Sequence, residues 1–463
     1  MNGGNVRAVW TPLPYGLNTP AQSLIIRLRM IKDALGLSLS DISKRTHYSR
    51  ASWERWLNGK RLISDVALIS FSAAAHIDPK PLLRLRALAA QRPLTDGSAE
   101  LEQAVQARAH ATLPPRIPDF TGRAEIVGQL CDALNPASTS QAVVAITGAG
   151  GVGKTALALH IAHQVKAAFP DGQLYVNLRE AGGPAEVLSR LLGYLGQPSD
   201  RGSQSVEVCA ARLRSLTAGL RLLIIYDGAA DSAAVRPLLL PWERSRVIVT
   251  SRNSLPGLAG ALTVPLASLN YADGLDMLCA IVGTARVLAE PVAAVRVLEY
   301  CGELPLAIRI AGARLVARPS WRIAALAARL AVERNRLDEL SVEDIGVRAC
   351  FEASYLPLSA GSPAADGRGR TFRLLGLSPN ADISVTAAAA LLDEPPSDAG
   401  RYLEGLVDVN LLETSSSGRY RLPELLRVYA RERAAAELTR AEREQACWRL
   451  LRRSAVSRTC TPV

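Results

Sequence analysis

The chain has 463 residues, a 48% hydrophobic fraction and a formal net charge of +11. That is room for about three domains, with enough Leu, Val, Ala and Ile to give each a core. No apolar run reaches the length of a membrane span, and the first residues lack a charged segment followed by an apolar one, so neither a membrane span nor a secretory leader is expected. Seven cysteines, at 131, 209, 279, 301, 350, 447 and 460, form no C-x-x-C pair, and together with five histidines they show no zinc-ligand spacing. They read as reduced thiols of a cytoplasmic protein.

The charge is unevenly placed. Residues 1–92 hold 14 Lys and Arg against 5 Asp and Glu, a net of about +9, which leaves the rest close to neutral. Basicity confined to one small region is the footprint of a nucleic-acid binder. A membrane-surface role would want a basic amphipathic helix, and no clean one is found.

Residues 1–20 mix Gly, Pro and Asn without a period and read as a flexible leader. Residues 23–35 form an amphipathic helix, with Leu24, Ile25, Leu28, Ile31 and Leu35 near one face and Gly36 ending it. Ser38 to Asp41 has the S-x-x-D form of a capping box and opens a short helix through Lys44 and Arg45. Thr46-His47-Tyr48 makes a turn, Ser49 caps a helix from Arg50 to Leu57, and Asn58-Gly59 stops it. Helices over 65–75 and 81–91 follow.

Five helices with a tight turn between the second and third describe a helix-turn-helix domain, over 21–92, whose third helix lies in the major groove of double-stranded DNA. Trp53 and Trp56, three apart, read as core. The opposite face carries Arg50, Ala51, Ser52 and Arg55, with Arg50 and Arg55 suited to bidentate contacts with guanine. Asn58, Lys60 and Arg61, just past the helix, suit phosphates. The alternative is a helical module that binds protein and merely solvates its basic face. Residues 38–62 resemble the phage-repressor-like helix-turn-helix family, and the likeness runs over roughly 21–90.

Residues 93–116 contain Pro93, Pro114 and Pro115 around a Gln- and Ala-rich run and read as a linker. A helix follows Phe120-Thr121-Gly122-Arg123. Then the apolar run Val143–Thr147 enters Gly148-Ala149-Gly150-Gly151-Val152-Gly153-Lys154-Thr155 and a helical pattern beginning at Ala156. Strand, glycine-rich loop and helix, with the spacing G-x-x-x-x-G-K-[ST], make a P-loop. Gly148, Gly150, Gly151 and Gly153, with Val152 and Ala156, let backbone N–H groups face phosphate oxygens, and the helix dipole points the same way. Lys154 reaches the β/γ-phosphates and Thr155 ligates Mg²⁺.

A strand over 173–178 and helices over 184–195 and 205–219 come next. Arg221–Asp227 is a buried strand ending in an acid, and downstream of a P-loop that acid holds Mg²⁺ through water. Arg246–Arg252 is another buried strand. Its end falls at the ligand edge of a parallel sheet, where Arg252 senses a γ-phosphate. Residues 271–335 read as helices interrupted by Gly302-Glu303-Leu304-Pro305-Leu306-Ala307. More helices follow, over 347–355, 371–377, 385–392 and 400–409. Two short β runs, 411–414 and 420–422, flank Ser415–Gly418, and a helix covers 425–437. Helices and then a hairpin describe a winged helix. The expected divisions are a P-loop nucleotide-binding α/β domain (117–270), a helical domain (271–340), a winged-helix domain (341–437) and a basic tail (438–463).

The ordered set Phe120–Arg123, Gly148–Thr155, Leu222–Asp227, Val247–Arg252 and Gly302–Ala307 resembles the NB-ARC branch of the STAND signalling NTPases, over about 118–435. The resemblance implies ATP or ADP with Mg²⁺, Thr121 and Arg123 near the adenine, Pro305 against adenine or ribose, and Arg252 as sensor. It makes Lys154 and Asp227 the residues on which any catalysis depends. Residues 372–435 are similar to actinobacterial regulators of secondary metabolism and development. Two positions depart from the family. Pro423-Glu424 stands where a His-Asp pair usually contacts the β-phosphate of ADP, and Gly228 follows Asp227 where many relatives carry a second acid. These imply a weaker ADP lock and slow hydrolysis at best. Relatives also often continue into helical sensor repeats. The function expected is a nucleotide-controlled DNA-binding transcriptional regulator, a conformational switch whose exchange alters homo-oligomer formation. The alternatives are a signalling or defence scaffold whose N-terminal helices bind protein, and an ATPase whose turnover is the function.

Overall fold

The computed structural model describes residues 19–46, 48–75, 77–90, 113–136, 142–197, 205–240, 244–359 and 363–459. Residues 1–18 of the expected leader, His47 in the expected turn, 93–112 of the expected linker and 460–463 of the tail lie outside them. The chain divides into two compact units, 1–100 and 101–463.

Among the described residues the first unit has five helices: α1 (Thr19–Ala34), α2 (Leu39–Thr46), α3 (Arg50–Leu57), α4 (Asp65–Ala74) and α5 (Lys80–Ala90). α1 begins a turn earlier than its apolar period indicates, because Pro20 sits in the first turn, where a missing N–H breaks no bond. The start of α2 is a reciprocal cap. The Ser38 N–H donates to Asp41 Oδ2 (2.9 Å) and the Asp41 N–H donates to Ser38 Oγ (3.1 Å). Ser49 Oγ accepts from the Ser52 N–H at the start of α3. Trp53 is fully buried with Leu24, Leu28, Ile42, Leu68 and Phe71. Its indole N–H donates to Thr46 Oγ1 (2.8 Å), and that hydroxyl donates to the Ile42 carbonyl (2.6 Å). One polar relay therefore fixes α3 against α2 across the turn. Trp56 is half-buried and packs edge-on against Trp53 and Tyr48, with ring centroids 5.1 and 5.3 Å apart.

The second unit is built on a five-stranded parallel sheet in the order β2-β3-β4-β1-β5, from β1 (Val143–Thr147), β2 (Gly172–Asn177), β3 (Leu222–Ala229), β4 (Arg246–Ser251) and β5 (Leu262–Pro265). Ala145, Leu174, Ile224, Tyr226 and Val247 on one face pack with Leu188, Leu191 and Leu213 from helices Pro184–Tyr194 and Val206–Thr217. Ile146, Leu223, Ile225 and Ile248 on the other face pack with Leu157 and Ile161 of helix Lys154–Gln164. β5, absent from the sequence expectation, is an edge strand whose side chains alternate half-buried and exposed.

That second face is continuous with the core of the C-terminal helices, so one apolar cluster runs from Val127 to Ala446. Six helices fill residues 271–339, and a two-stranded hairpin follows, β6 (Ser341–Val342) with β7 (Ile345–Gly346). Then come helices Val347–Ser359, Pro363–Leu375, Val385–Leu392 and Pro396–Asp408. A small antiparallel sheet has the order β8-β10-β9, from β8 (Asp382–Ser384), β9 (Glu413–Ser416) and β10 (Arg419–Arg421). The expected run at 411–414 starts two residues late, because Leu411 and Leu412 are both buried in the core, which consecutive residues of a one-sided strand are not. The third strand, β8, was not anticipated. Helices Glu424–Glu437 and Arg440–Thr459 end the described chain. Among the described residues no helix is long and apolar enough to cross a membrane.

Candidate functional site

The loop after β1 closes on itself through Lys154. Its ammonium donates to the carbonyls of Gly148 (2.8 Å) and Ala149 (2.7 Å), so the side chain folds back over the loop. Gly153 caps the helix in a left-handed conformation (φ 93°), and its carbonyl accepts the first helical bond from the Leu157 N–H (2.9 Å). Val152 is buried beneath the loop, and Ala156 lies in the first helical turn. At Gly150 a Cβ would stand 2.9 Å from the carbonyl oxygen of Cys350, on helix Val347–Ser359, so only glycine admits that approach.

Asp227 reaches the loop from β3, which β4 separates from β1. The register of β3 against β4 shifts between Tyr226 and Ala229, and this bulge redirects the end of the strand. Asp227 is buried. Its Oδ1 accepts from Thr155 Oγ1 (2.7 Å) and Thr250 Oγ1 (2.6 Å), and its Oδ2 accepts from the Tyr175 hydroxyl (3.0 Å). Three hydroxyls hold one carboxylate beside the helix start. Thr155 and Asp227 are hard oxygen donors in contact, the donor set that suits Mg²⁺.

Arg252, at the end of β4, donates to the Cys350 carbonyl (3.3 Å), and Asn410 Nδ2 donates to the Arg252 carbonyl (2.8 Å). Its guanidinium is held below the usual arginine range by burial and by the charge of Arg179. Lys154 is pushed down to about 7, first by burial and then by Arg252 and Arg179. The site therefore gathers cationic groups around a single carboxylate, an arrangement that fits a polyphosphate.

Arg123 precedes helix Ala124–Ala133 with φ 62°. Its guanidinium donates to the carbonyls of Val152 (2.7 Å) and Ala267 (2.9 Å), and its N–H donates to Asp273 Oδ2 (3.1 Å). It is a strut that fastens the loop to the segment after β5. Thr121 spends its hydroxyl on the Asp119 carbonyl (3.1 Å). Pro305 starts helix Pro305–Ala317, and the next residue, Leu306, donates its N–H to the Gly151 carbonyl (3.2 Å). A cavity of about 70 Å³ separates Ala149 and Ala267 from Gly302, Leu304 and Pro423. Glu424 is bound elsewhere, by Arg336 (2.9 Å) and Arg427 (2.5 Å).

Residues 123–288 match the family model described as "NB-ARC domain", and residues 24–92 match one described as "Helix-turn-helix domain". This chain carries an NB-ARC P-loop NTPase domain behind a helix-turn-helix domain. It is similar to the regulatory protein AfsR of Streptomyces coelicolor, 46% identical over 78% of this chain and 37% of that protein. It is also similar to AfsR of Streptomyces griseus, 45% identical over 81% of this chain and 39% of that protein. The chain thus spans less than half the length of these relatives. A Walker-type ATPase of Pyrococcus abyssi superposes with a TM-score of 0.47 at 13% identity, over 70% of this chain and 99% of that one.

Around the NB-ARC loop the structure brings together Lys154, Thr155, Asp227, Arg252, Arg123 and Pro305 from five separate segments. Sequence reasoning missed Tyr175 and Thr250, whose hydroxyls hold Asp227, and Arg179. Nothing local marks them, since their partner lies 52 and 23 residues away for the first two. In the helix-turn-helix unit Arg50, Arg55, Lys60 and Arg61 are exposed and Ser52 is half-buried. Arg55 Nε donates to the Ala51 carbonyl (3.2 Å). Asn58 closes α3 and its side-chain oxygen accepts from Arg29 (3.4 Å), so it is engaged within the unit.

Proposed function

We propose that this chain is a DNA-binding transcriptional regulator of the cytoplasm, controlled by ATP or ADP bound at the NB-ARC loop. One observation carries the reading: Arg252 ends a strand of the nucleotide-binding sheet while donating to the Cys350 carbonyl of a C-terminal helix. A γ-phosphate competes for the same guanidinium, so a triphosphate and a diphosphate leave that contact in different states. In this reading Thr155 and Asp227 hold Mg²⁺, which supplies charge neutralisation of the β/γ oxygens. The loop N–H groups and Lys154 hold the phosphates, and Arg123 and Pro305 shape the nucleoside end. Pro423 supplies no donor where the family places a histidine, and Gly228 supplies no second carboxylate, so nucleotide is held with little turnover. Residues 341–437 act as the winged-helix clamp of the switch, and its release changes self-association and hence the spacing of the DNA-reading helices. Both AfsR relatives are named as regulatory proteins, which supports the direction of the reading.

The test uses the full chain and a randomised pool of DNA duplexes from which bound sequences are selected. Selected duplexes should bind with affinities that differ between Mg-ATP and Mg-ADP. Lys154→Ala should lose nucleotide and this difference, yet keep weak, salt-sensitive DNA binding. No enrichment of any duplex at low salt sinks the regulator reading, and identical DNA affinity in both nucleotides sinks the switch.

A further inference from the structure

Arg179 lies just after β2, in the loop following Asn177, whose side-chain oxygen accepts from the Arg179 N–H (3.1 Å). Its side chain crosses to the end of β3. A Cβ built on Gly228 would stand 2.6 Å from Arg179 Nε and 3.0 Å from its Cγ. Gly228 is at φ 81° and immediately follows Asp227. The bare backbone of that one glycine is therefore the seat on which the arginine stem rests.

Three cationic side chains converge on this edge of the sheet. Lys154 bonds only carbonyls of its own loop, and Arg252 bonds the Cys350 carbonyl. Among the described residues the Arg179 guanidinium has no carboxylate partner. Asp227 has both oxygens taken by hydroxyls, and Glu180 accepts from Asn177 Nδ2 (2.7 Å). Arg179 contributes to the depression of both Lys154 and Arg252, which puts its charge within electrostatic reach of each. Lys154 belongs to the loop and helix start after β1. The two arginines follow the ends of β2 and β4, the strands on either side of β3, which carries Asp227.

We infer that Arg179, seated on Gly228, is a specificity-determining residue that binds the terminal phosphate and makes the site prefer a nucleoside triphosphate over a diphosphate. It occupies the place beside Asp227 from which a carboxylate would orient water. A guanidinium cannot accept a proton from water, so the group that favours the triphosphate does not promote its hydrolysis. The inference rests on the nucleotide reading above.

The experiment measures binding of fluorescent ATP and ADP, with Mg²⁺, to the full chain. Arg179→Gln should weaken ATP on the order of 10- to 100-fold, the range for a charged hydrogen bond, and leave ADP within about twofold. Gly228→Asn, a residue that tolerates positive φ, fills the seat and should cause the same ADP-sparing loss. Arg179→Lys should recover part of it, and circular dichroism checks that each variant is folded. An unchanged ratio of ATP to ADP affinity in folded Arg179→Gln overturns the assignment while leaving the nucleotide reading intact. If the wild-type chain binds neither nucleotide, or Lys154→Ala binds both as well as wild type, the nucleotide reading fails and the assignment with it.

Discussion

Lys154 sets a measurable proton count for nucleotide binding. In the free site its ammonium is pushed down to about 7 by burial and by Arg252 and Arg179, against about 10.4 for an unperturbed lysine. A base with a depressed folded pKa carries fewer protons folded than unfolded between those two values. The stability of the nucleotide-free protein therefore rises with pH across that window. A polyphosphate on the loop supplies the missing anion and returns the lysine to its charged form. At pH 8 the free lysine is about one-tenth protonated and the occupied one fully so, which means uptake of about 0.9 protons per nucleotide. At pH 6 the uptake falls to about 0.1. Titration calorimetry with Mg-ADP, repeated in buffers of equal pH and different ionisation enthalpy, gives this number as a slope. Firm binding with a slope near zero at pH 8 refutes the reasoning, because Lys154 would then be charged before any phosphate arrives.

The proposed DNA face separates into two classes of substitution. Arg50→Ala or Arg55→Ala should each cost about 1–3 kcal/mol against a selected duplex and relax its sequence requirement. Lys60→Ala or Arg61→Ala should weaken all duplexes alike and lower the slope of log K against log salt by about 1, as read by binding titrations at several salt concentrations. In the C-terminal core Arg373 donates to the Tyr355 hydroxyl (2.7 Å) and to Glu437 (2.6 Å), with 10% of its side chain exposed. Arg373→Leu should lower unfolding stability by about 1–3 kcal/mol in urea denaturation, since Glu437 keeps its bonds to Tyr355 and Arg433. Burial alone would raise Glu437, but bonds from Tyr355 and Arg433 and the charges of Arg373 and Arg433 outweigh it and hold the carboxyl low. Its contribution is present above the unfolded carboxyl range and lost as acid titrates the folded group, so the gap between wild type and variant should narrow below about pH 4.

The loop from Gly148 to Thr155 was legible because its chemistry is contiguous: strand, glycines, lysine and helix occupy one short stretch. The same holds for the cap at Ser38–Asp41 and for the Trp53 core position, which follow from spacing alone. β5 was not legible, because Leu262–Pro265 is only four residues, none fully buried, and becomes a strand by pairing with β1. β8 failed for the same reason, being three residues recruited by β10. The environment of Asp227 was half legible. The acid at the end of an apolar run is visible, whereas Tyr175 and Thr250 reach it through the order of strands in the sheet. Arg179 needed more still, since its placement depends on a bulge and on a glycine that a sequence reading registers only as a missing acid.

The segment after β4 is tied to the C-terminal helices at more than one point, once to helix Val347–Ser359 and otherwise to the corner at 408–410. Cys350 receives Arg252, Asn410 binds the Arg252 carbonyl, and Ser254 donates its N–H to the Asp408 carbonyl (2.7 Å) and its hydroxyl to the Asp408 carboxylate (3.1 Å). Coupling of this kind runs in both directions, because the factor by which one ligand changes the affinity for another is the same read from either end. On the proposed switch, a molecule that draws Arg252 off the Cys350 carbonyl would also bear on the 408–410 corner, which binds the Arg252 backbone. By the same factor, a force or partner that pulls on that corner alters the hold on the molecule. On that proposal the C-terminal segment is an input as much as an output, and tension applied there would be a way to load or empty the site.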